Sequence, residues 1–147
     1  MVAPKLITSE HALYSVDGVF NGILVKGNMV GEVMFYGQGA GKLATASAVV
    51  SDIMDASKHV NVNINTLWDL EKLDLVPMAE ATSKFFVRVK GTKSDMEGKV
   101  RDAFGSVTPV RELYDDEYAF VTEIITEATY EAGANTLGNV INKIRME

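Results

Sequence analysis

Apolar and polar residues alternate from Val19 to Lys26. Val19, Ile23 and Val25 share one face with Asn21, while Phe20 and Leu24 take the other. Gly27-Asn28 suits a two-residue type II′ turn, with glycine first. Met29–Tyr36 reads as the return strand, and its apolar content on both faces predicts that both are covered, by helices or by a partner chain. The spacing of Leu43, Ala46, Val50, Ile53 and Met54 then predicts a helix over 43–56, with Thr45 as its N-cap if it starts late. Small residues at Ala44, Ser47, Ala48 and Ser51 would let another backbone approach it. Ahead of this unit, Leu6 and Ile7 read as a short strand and Asp17-Gly18 as a turn.

The pattern weakens over 58–83, which is rich in Asn, Asp and Glu and contains Pro77. It reads as a connector, with Leu67, Trp68 and Leu70 expected to pin it to a flanking piece. Periodicity then returns: a strand at 85–91, a helix at 94–105, a strand at 107–114, a turn at Asp115-Asp116, a strand at 118–125, a helix at 128–137 and a strand at 140–146. Ser94 and Glu97 have capping-box spacing, and Gly105 and Gly138 stand where helices end. The order β-α-β-β-α-β predicts a ferredoxin-like split βαβ module. The fold class is therefore α+β: a strand hairpin plus helix in residues 1–60, a connector in 61–83, and a ferredoxin-like unit in 84–147.

Composition narrows the partners. The chain has 147 residues, 47% of them hydrophobic, enough to bury a core and too many for a disordered chain. No apolar run approaches the ~20 residues of a membrane span, and the first residues lack the pattern of a signal peptide. A net charge of −6 argues against nucleic acid, whose affinity comes from Lys and Arg. Cysteine is absent, which removes disulfides and thiolate metal sites. These features suit a cytoplasmic protein.

The main candidate for chemistry is GQGAGK at 37–42, between strand and helix. It is not a P-loop, which needs Gly at 36 and Ser or Thr at 43, where Tyr36 and Leu43 stand. Nor is it the dinucleotide fingerprint, because Lys42 occupies the last glycine position. Two readings remain for it: a tight strand-to-helix junction, or bare backbone that meets a ligand at a helix N-terminus. His11 and His59 lie apart and read as surface histidines, with no metal site around them. The loop from Lys90 and the helix start at Ser94 and Asp95 have free N–H groups for an amino acid's carboxylate, beside the plain reading of a capped helix. No arrangement of catalytic residues emerges.

The residues Asp17-Gly18-Val19-Phe20-Asn21, Val25-Lys26-Gly27, Gly31-Glu32, Met34-Phe35-Tyr36-Gly37, Gly39-Ala40-Gly41 and Thr45–Asp52 closely resemble homoserine dehydrogenase, at the end of its catalytic (substrate and dimerisation) domain. The β-α-β-β-α-β piece resembles, in element order, the C-terminal ACT domain of many bacterial members. The resemblance implies an oxidoreductase that interconverts L-homoserine and L-aspartate 4-semialdehyde with NAD or NADP, in threonine, methionine and isoleucine biosynthesis. It implies that Gly41, with Gly39 and Ala40, lies against the nicotinamide cofactor. It also implies that the Rossmann domain, the catalytic lysine and the homoserine-binding acids belong to segments outside this chain, so that the chain alone is inactive. A homodimer is the implied assembly, with an amino acid such as L-threonine as effector near Asp95 and Ser94. Gln38 and Ala44 replace prolines of the family pattern, and the loop Lys90–Asp95 lacks the Pro-Gly usual in ACT domains. The alternative is an amino-acid-sensing ACT module without catalysis.

Overall fold

The structure, a computed structural model, describes residues 2–62, 67, 70–72, 74–111 and 114–147. It is mixed α/β, with three α-helices, and divides into two compact units: Met1–Thr8 with Leu73–Glu147, and Ser9–Lys72.

The second of these begins with an antiparallel hairpin, β2 (Phe20–Gly27) and β3 (Gly31–Gln38), and continues into α1 (Lys42–Lys58). The turn differs from expectation. Gly27 pairs with Gly31, so the loop holds three residues, Asn28 to Val30, and the left-handed residue is Gly31 at φ 74° rather than Gly27. A three-residue loop closed by a left-handed glycine matches the twist of the strands as well as a type II′ turn does. Helix α1 starts earlier than its pattern suggests. Gly41 is the N-cap, and Thr45 lies inside the first turn, donating both N–H and Oγ1–H to the Gly41 carbonyl at 3.1 and 3.0 Å. Phe20 stacks on Tyr36, and Leu13 and Val16 lie over Gly22, where a Cβ would meet them at 2.7 and 3.0 Å. Most other apolar side chains here are exposed, including Ile23, Phe35, Leu43 and Ile53. The covering expected on both faces of the hairpin is not found among the described residues.

In the connector, Leu67 and Leu70 are exposed and pin nothing, contrary to expectation. Trp68 lies outside the described residues. A single 3₁₀ turn, Met78–Glu80, precedes the other unit's sheet.

That unit carries β4 (Thr82–Lys90), α2 (Lys93–Phe104), β5 (Val107–Pro109), β6 (Glu117–Thr122), β7 (Ile125–Thr126), α3 (Glu127–Leu137) and β8 (Val140–Met146). The sheet runs β1-β8-β4-β6-β5, where β1 (Lys5–Leu6) is parallel to β8 and the other neighbours are antiparallel; β7 pairs with the start of β4. Strand β5 is shorter than the expected 107–114. The expected strand 118–125 is split into β6 and β7 by Glu123 and Ile124.

Alternation in β4 sends Phe85, Val87 and Val89 under α2 and α3, and Phe86 and Arg88 to the open face. Tyr118 and Phe120 from β6, Met96, Val100 and Phe104 from α2 and Tyr130 from α3 complete the core. The helices meet closely: a Cβ at Gly133 would lie 2.6 Å from the Phe104 ring. The start of α2 corrects the sequence reading. Thr92, not Ser94, is the N-cap; its Oγ1 accepts from the Asp95 N–H at 3.3 Å and donates to Asp95 Oδ2 at 2.7 Å, so the capping box is Thr92–Asp95 and not Ser94–Glu97. Gly105 and Gly138 end the helices at φ 75° and 70°, as their positions suggest.

Glu127, almost fully buried at the start of α3, faces β8. It accepts from Arg145 Nε, and Lys143 Nζ lies 3.6 Å away. Burial pushes its carboxyl up, but the hydrogen bond and charge of Arg145, with Lys143, outweigh that and hold it below the ordinary glutamate value. Among the described residues, no helix is long and apolar enough to cross a membrane.

Candidate functional site

The glycine junction is built by the end of β3 and the start of α1. Strand register sets Asn21 opposite Gly37. Two residues on, Gly39 lies against the Asn21 side chain so closely that a Cβ would come within 1.9 Å of Nδ2. Any larger residue there would have to displace the Asn21 side chain. Gly41 has open space around it but φ 119°, ψ 149°, a backbone that side-chain-bearing residues rarely adopt. The chain thus turns sharply from strand to helix with no side chain at Gly37, Gly39 or Gly41 and a methyl at Ala40.

Helix α1 has no side-chain cap and no acidic residue in its first turn. Its first N–H groups and the positive end of its dipole face outward, where an anion or the polar edge of a flat ring would be stabilised. Beside the junction lies a concavity of about 370 Å³, lined by Asn21, Ile23, Phe35, Tyr36, Gly37 and Gly39 among others. The arrangement joins bare backbone to an apolar wall with two amides, Asn21 and Gln38, and the Tyr36 ring. Its lining holds no carboxylate, imidazole or amine, so its main chemical capacity is to contact a ligand and hold it. Sequence reasoning named Gly39, Ala40 and Gly41, and the structure brings them together. It missed Asn21, whose signal lay in the register that sets it opposite the first glycine.

The second candidate, Ser94 and Asp95, lies at the start of α2 in a surface depression of about 480 Å³, with Thr92, Lys93, Glu97 and Asp115. Ser94 Oγ is 2.9 Å from Thr92 Oγ1, and the Asp95 carboxylate is engaged in the cap. The preceding Gly91 has φ 130° and lies against Met96, and Asn139 Nδ2 donates to the Lys90 carbonyl. The loop is held firmly, and its polar groups are largely spent on one another. Neither histidine lines either depression. His11 Nδ1 accepts from the Leu13 N–H at 3.1 Å, and His59 ends α1 with Nδ1 2.9 Å from the Asp55 carbonyl. Among the described residues, no group of three His, Cys, Asp or Glu could hold a metal ion.

Residues 1–54 match the family model of homoserine dehydrogenase, so the match includes the hairpin, the glycine run and most of α1. A homoserine dehydrogenase of Synechocystis is 47% identical over 88 residues, 60% of this chain and 19% of that protein. Solved structures agree over nearly the whole chain. One of a homoserine dehydrogenase from Thiobacillus denitrificans superposes with a TM-score of 0.73 at 26% identity, covering 99% of this chain and 38% of that one. One of the S. aureus homoserine dehydrogenase gives 0.70 at 30% identity, covering 97% and 36%. The chain spans about a fifth of the Synechocystis protein and somewhat over a third of the solved chains. Motif, family model and backbone agree: the chain is similar to part of homoserine dehydrogenase, by its family model over residues 1–54 and by backbone over nearly its whole length.

Proposed function

We propose that this chain forms part of an enzyme that interconverts L-homoserine and L-aspartate 4-semialdehyde with NAD or NADP. The observation that carries this reading is the glycine junction, which lies inside the family-matched residues and leaves backbone bare beside an uncapped helix start. A nicotinamide ring fits such an edge, because nothing at Gly39 or Gly41 projects to exclude it. When bound, the nicotinamide supplies hydride transfer. The chain's own part is to hold and orient: Gly41, with Ala40 and Gly39, forms a wall, the N–H groups of α1 meet a polar edge, and Asn21 keeps the junction in shape. The catalytic groups belong to other parts of the enzyme, and the exposed faces of the hairpin and α1 pack there and across a dimer. The setting is cytoplasmic.

The other unit supports a finer reading, a ferredoxin-like ACT module. The run β8-β4-β6-β5, antiparallel throughout with both helices on one face, is the order expected for a split βαβ fold. On that reading the unit binds an amino-acid effector, for which the start of α2 at Ser94 and Asp95 is one candidate place.

The test is a chimera. The counterpart of residues 11–57 in the S. aureus enzyme is replaced by this chain's residues, and homoserine-dependent NADP reduction is measured. The chimera should be active, Gly41→Ala in it should raise the cofactor KM more than it lowers kcat, and the 147-residue chain alone should be inactive. A folded but inactive chimera, or activity from the chain alone, would overturn the reading.

A further inference from the structure

Register and alternation put Asn21, Ile23 and Val25 of β2 on one face of the hairpin with Val33, Phe35 and Gly37 of β3. Asn21 is the one polar side chain in that set. Gly37 stands opposite it, so no side chain crosses the strand pair to cover its amide. The amide nitrogen lies against Gly39, and the side chain makes no hydrogen bond among the described residues. Ile23 and Phe35, both exposed, line the same concavity of about 370 Å³.

A strand that is otherwise apolar on this face thus carries one carboxamide with its hydrogen-bonding capacity unspent, beside bare glycine backbone. A carboxamide offers one acceptor oxygen and two N–H donors. A carboxylate would meet only the N–H groups, and an ammonium only the oxygen. The group that satisfies both is a second carboxamide, through two parallel N–H···O bonds. The apolar neighbours suit a ligand that carries this amide on a flat ring.

We propose that Asn21 recognises the carboxamide of the nicotinamide ring, its Oδ1 accepting from the ligand's NH2 and its Nδ2 donating to the ligand's C=O. The inference rests on the dehydrogenase reading and deepens it: Asn21 touches the cofactor as well as packing on Gly39, and it selects the amide-bearing form.

The test is cofactor binding by the chimera that carries this chain's residues 11–57. Dissociation constants are measured by calorimetry for NADP and for its 3-acetylpyridine analogue, in which a methyl group replaces the amide NH2. NADP should bind about tenfold more tightly than the analogue, the worth of a hydrogen bond lost at a polar group. Asn21→Ala, at an exposed position, should reduce this preference to about twofold or less. Asn21→Asp should keep it, because the carboxylate still accepts from the ligand's NH2. The ratio separates contact from shape: a residue that only holds Gly39 in place would weaken both ligands alike when replaced. Equal binding of the two forms by the unsubstituted chimera would overturn the inference and leave the dehydrogenase reading standing. So would a preference unchanged in Asn21→Ala. A folded chimera that binds neither form would overturn both.

Discussion

The unit that contains β4 to β8 buries nine hydrophobic side chains, whereas the unit that contains the hairpin and α1 buries none among its described residues. Both are rich in Val, Ile and Phe, so composition does not separate them. What differs is whether the chain supplies a second layer. In the first, two helices lie on one face of an antiparallel sheet, and Phe85, Val87 and Val89 meet Phe104, Tyr118 and Tyr130. In the second, a two-stranded hairpin and one helix have too few layers to enclose a core, and Ile23, Phe35 and Ile53 stay 62–64% exposed. Apolar surface on that scale marks a place where something else packs. One unit closes a core of its own; the other leaves its apolar faces open among the described residues.

Substitutions sharpen this contrast. The largest effect is expected at Phe120, fully buried and in contact with the Phe104 and Tyr118 rings: Phe120→Ala should cost about 3–5 kcal/mol in urea unfolding. Glu127→Gln comes next. It leaves Arg145, itself only 15% exposed, without its carboxylate, at a cost of about 2 kcal/mol at neutral pH. Because the folded carboxyl lies below the ordinary value of 4.5, this contribution is full above that value and is lost as pH falls through the folded one. Stability measured from about pH 7 down to pH 3 should fall more steeply in the parent chain than in Glu127→Gln. Thr92→Ala should cost about 1 kcal/mol through loss of the α2 cap, with Ser94→Ala much milder; the reverse order would restore the Ser94 capping box. Smallest is Ile53→Ala on α1. A core isoleucine would cost ~2–5 kcal/mol, whereas this one should stay within about 0.5 kcal/mol.

The sequence made the larger unit readable because its signals are local and agree. The apolar run at 85–89 marks β4, although Phe86 breaks the alternation that would have named its buried face, and Gly105 and Gly138 end their helices at positive φ. Choices between near-equal local signals were not readable. Gly27 and Gly31 both suit a hairpin turn, and cross-strand register decides for Gly31. Thr92–Asp95 and Ser94–Glu97 are overlapping capping boxes, and the Gly91 turn delivers the chain with Thr92 already extended, at φ −70°, ψ 160°. Contacts made by topology alone were also hidden. Asn21 meets Gly39 only once the hairpin closes, Arg88 meets Glu117 across β4 and β6, and Glu127 meets Arg145 only when α3 lies on β8. The glycine run itself was plain to see, but its bareness to a ligand depends on the φ of Gly41 and on the missing cap of α1.

The most direct test of two units with unequal closure is amide hydrogen exchange on the 147-residue chain, dilute enough to be monomeric. Amides of β4, β6, β8, α2 and α3 should exchange slowly, near the limit set by global unfolding. Those of β2, β3 and α1 should exchange by local opening, on the order of 10²-fold faster or more. Equal protection of α1 and β4 in the monomer would contradict the account, because it would require a core around the hairpin that the described residues do not form.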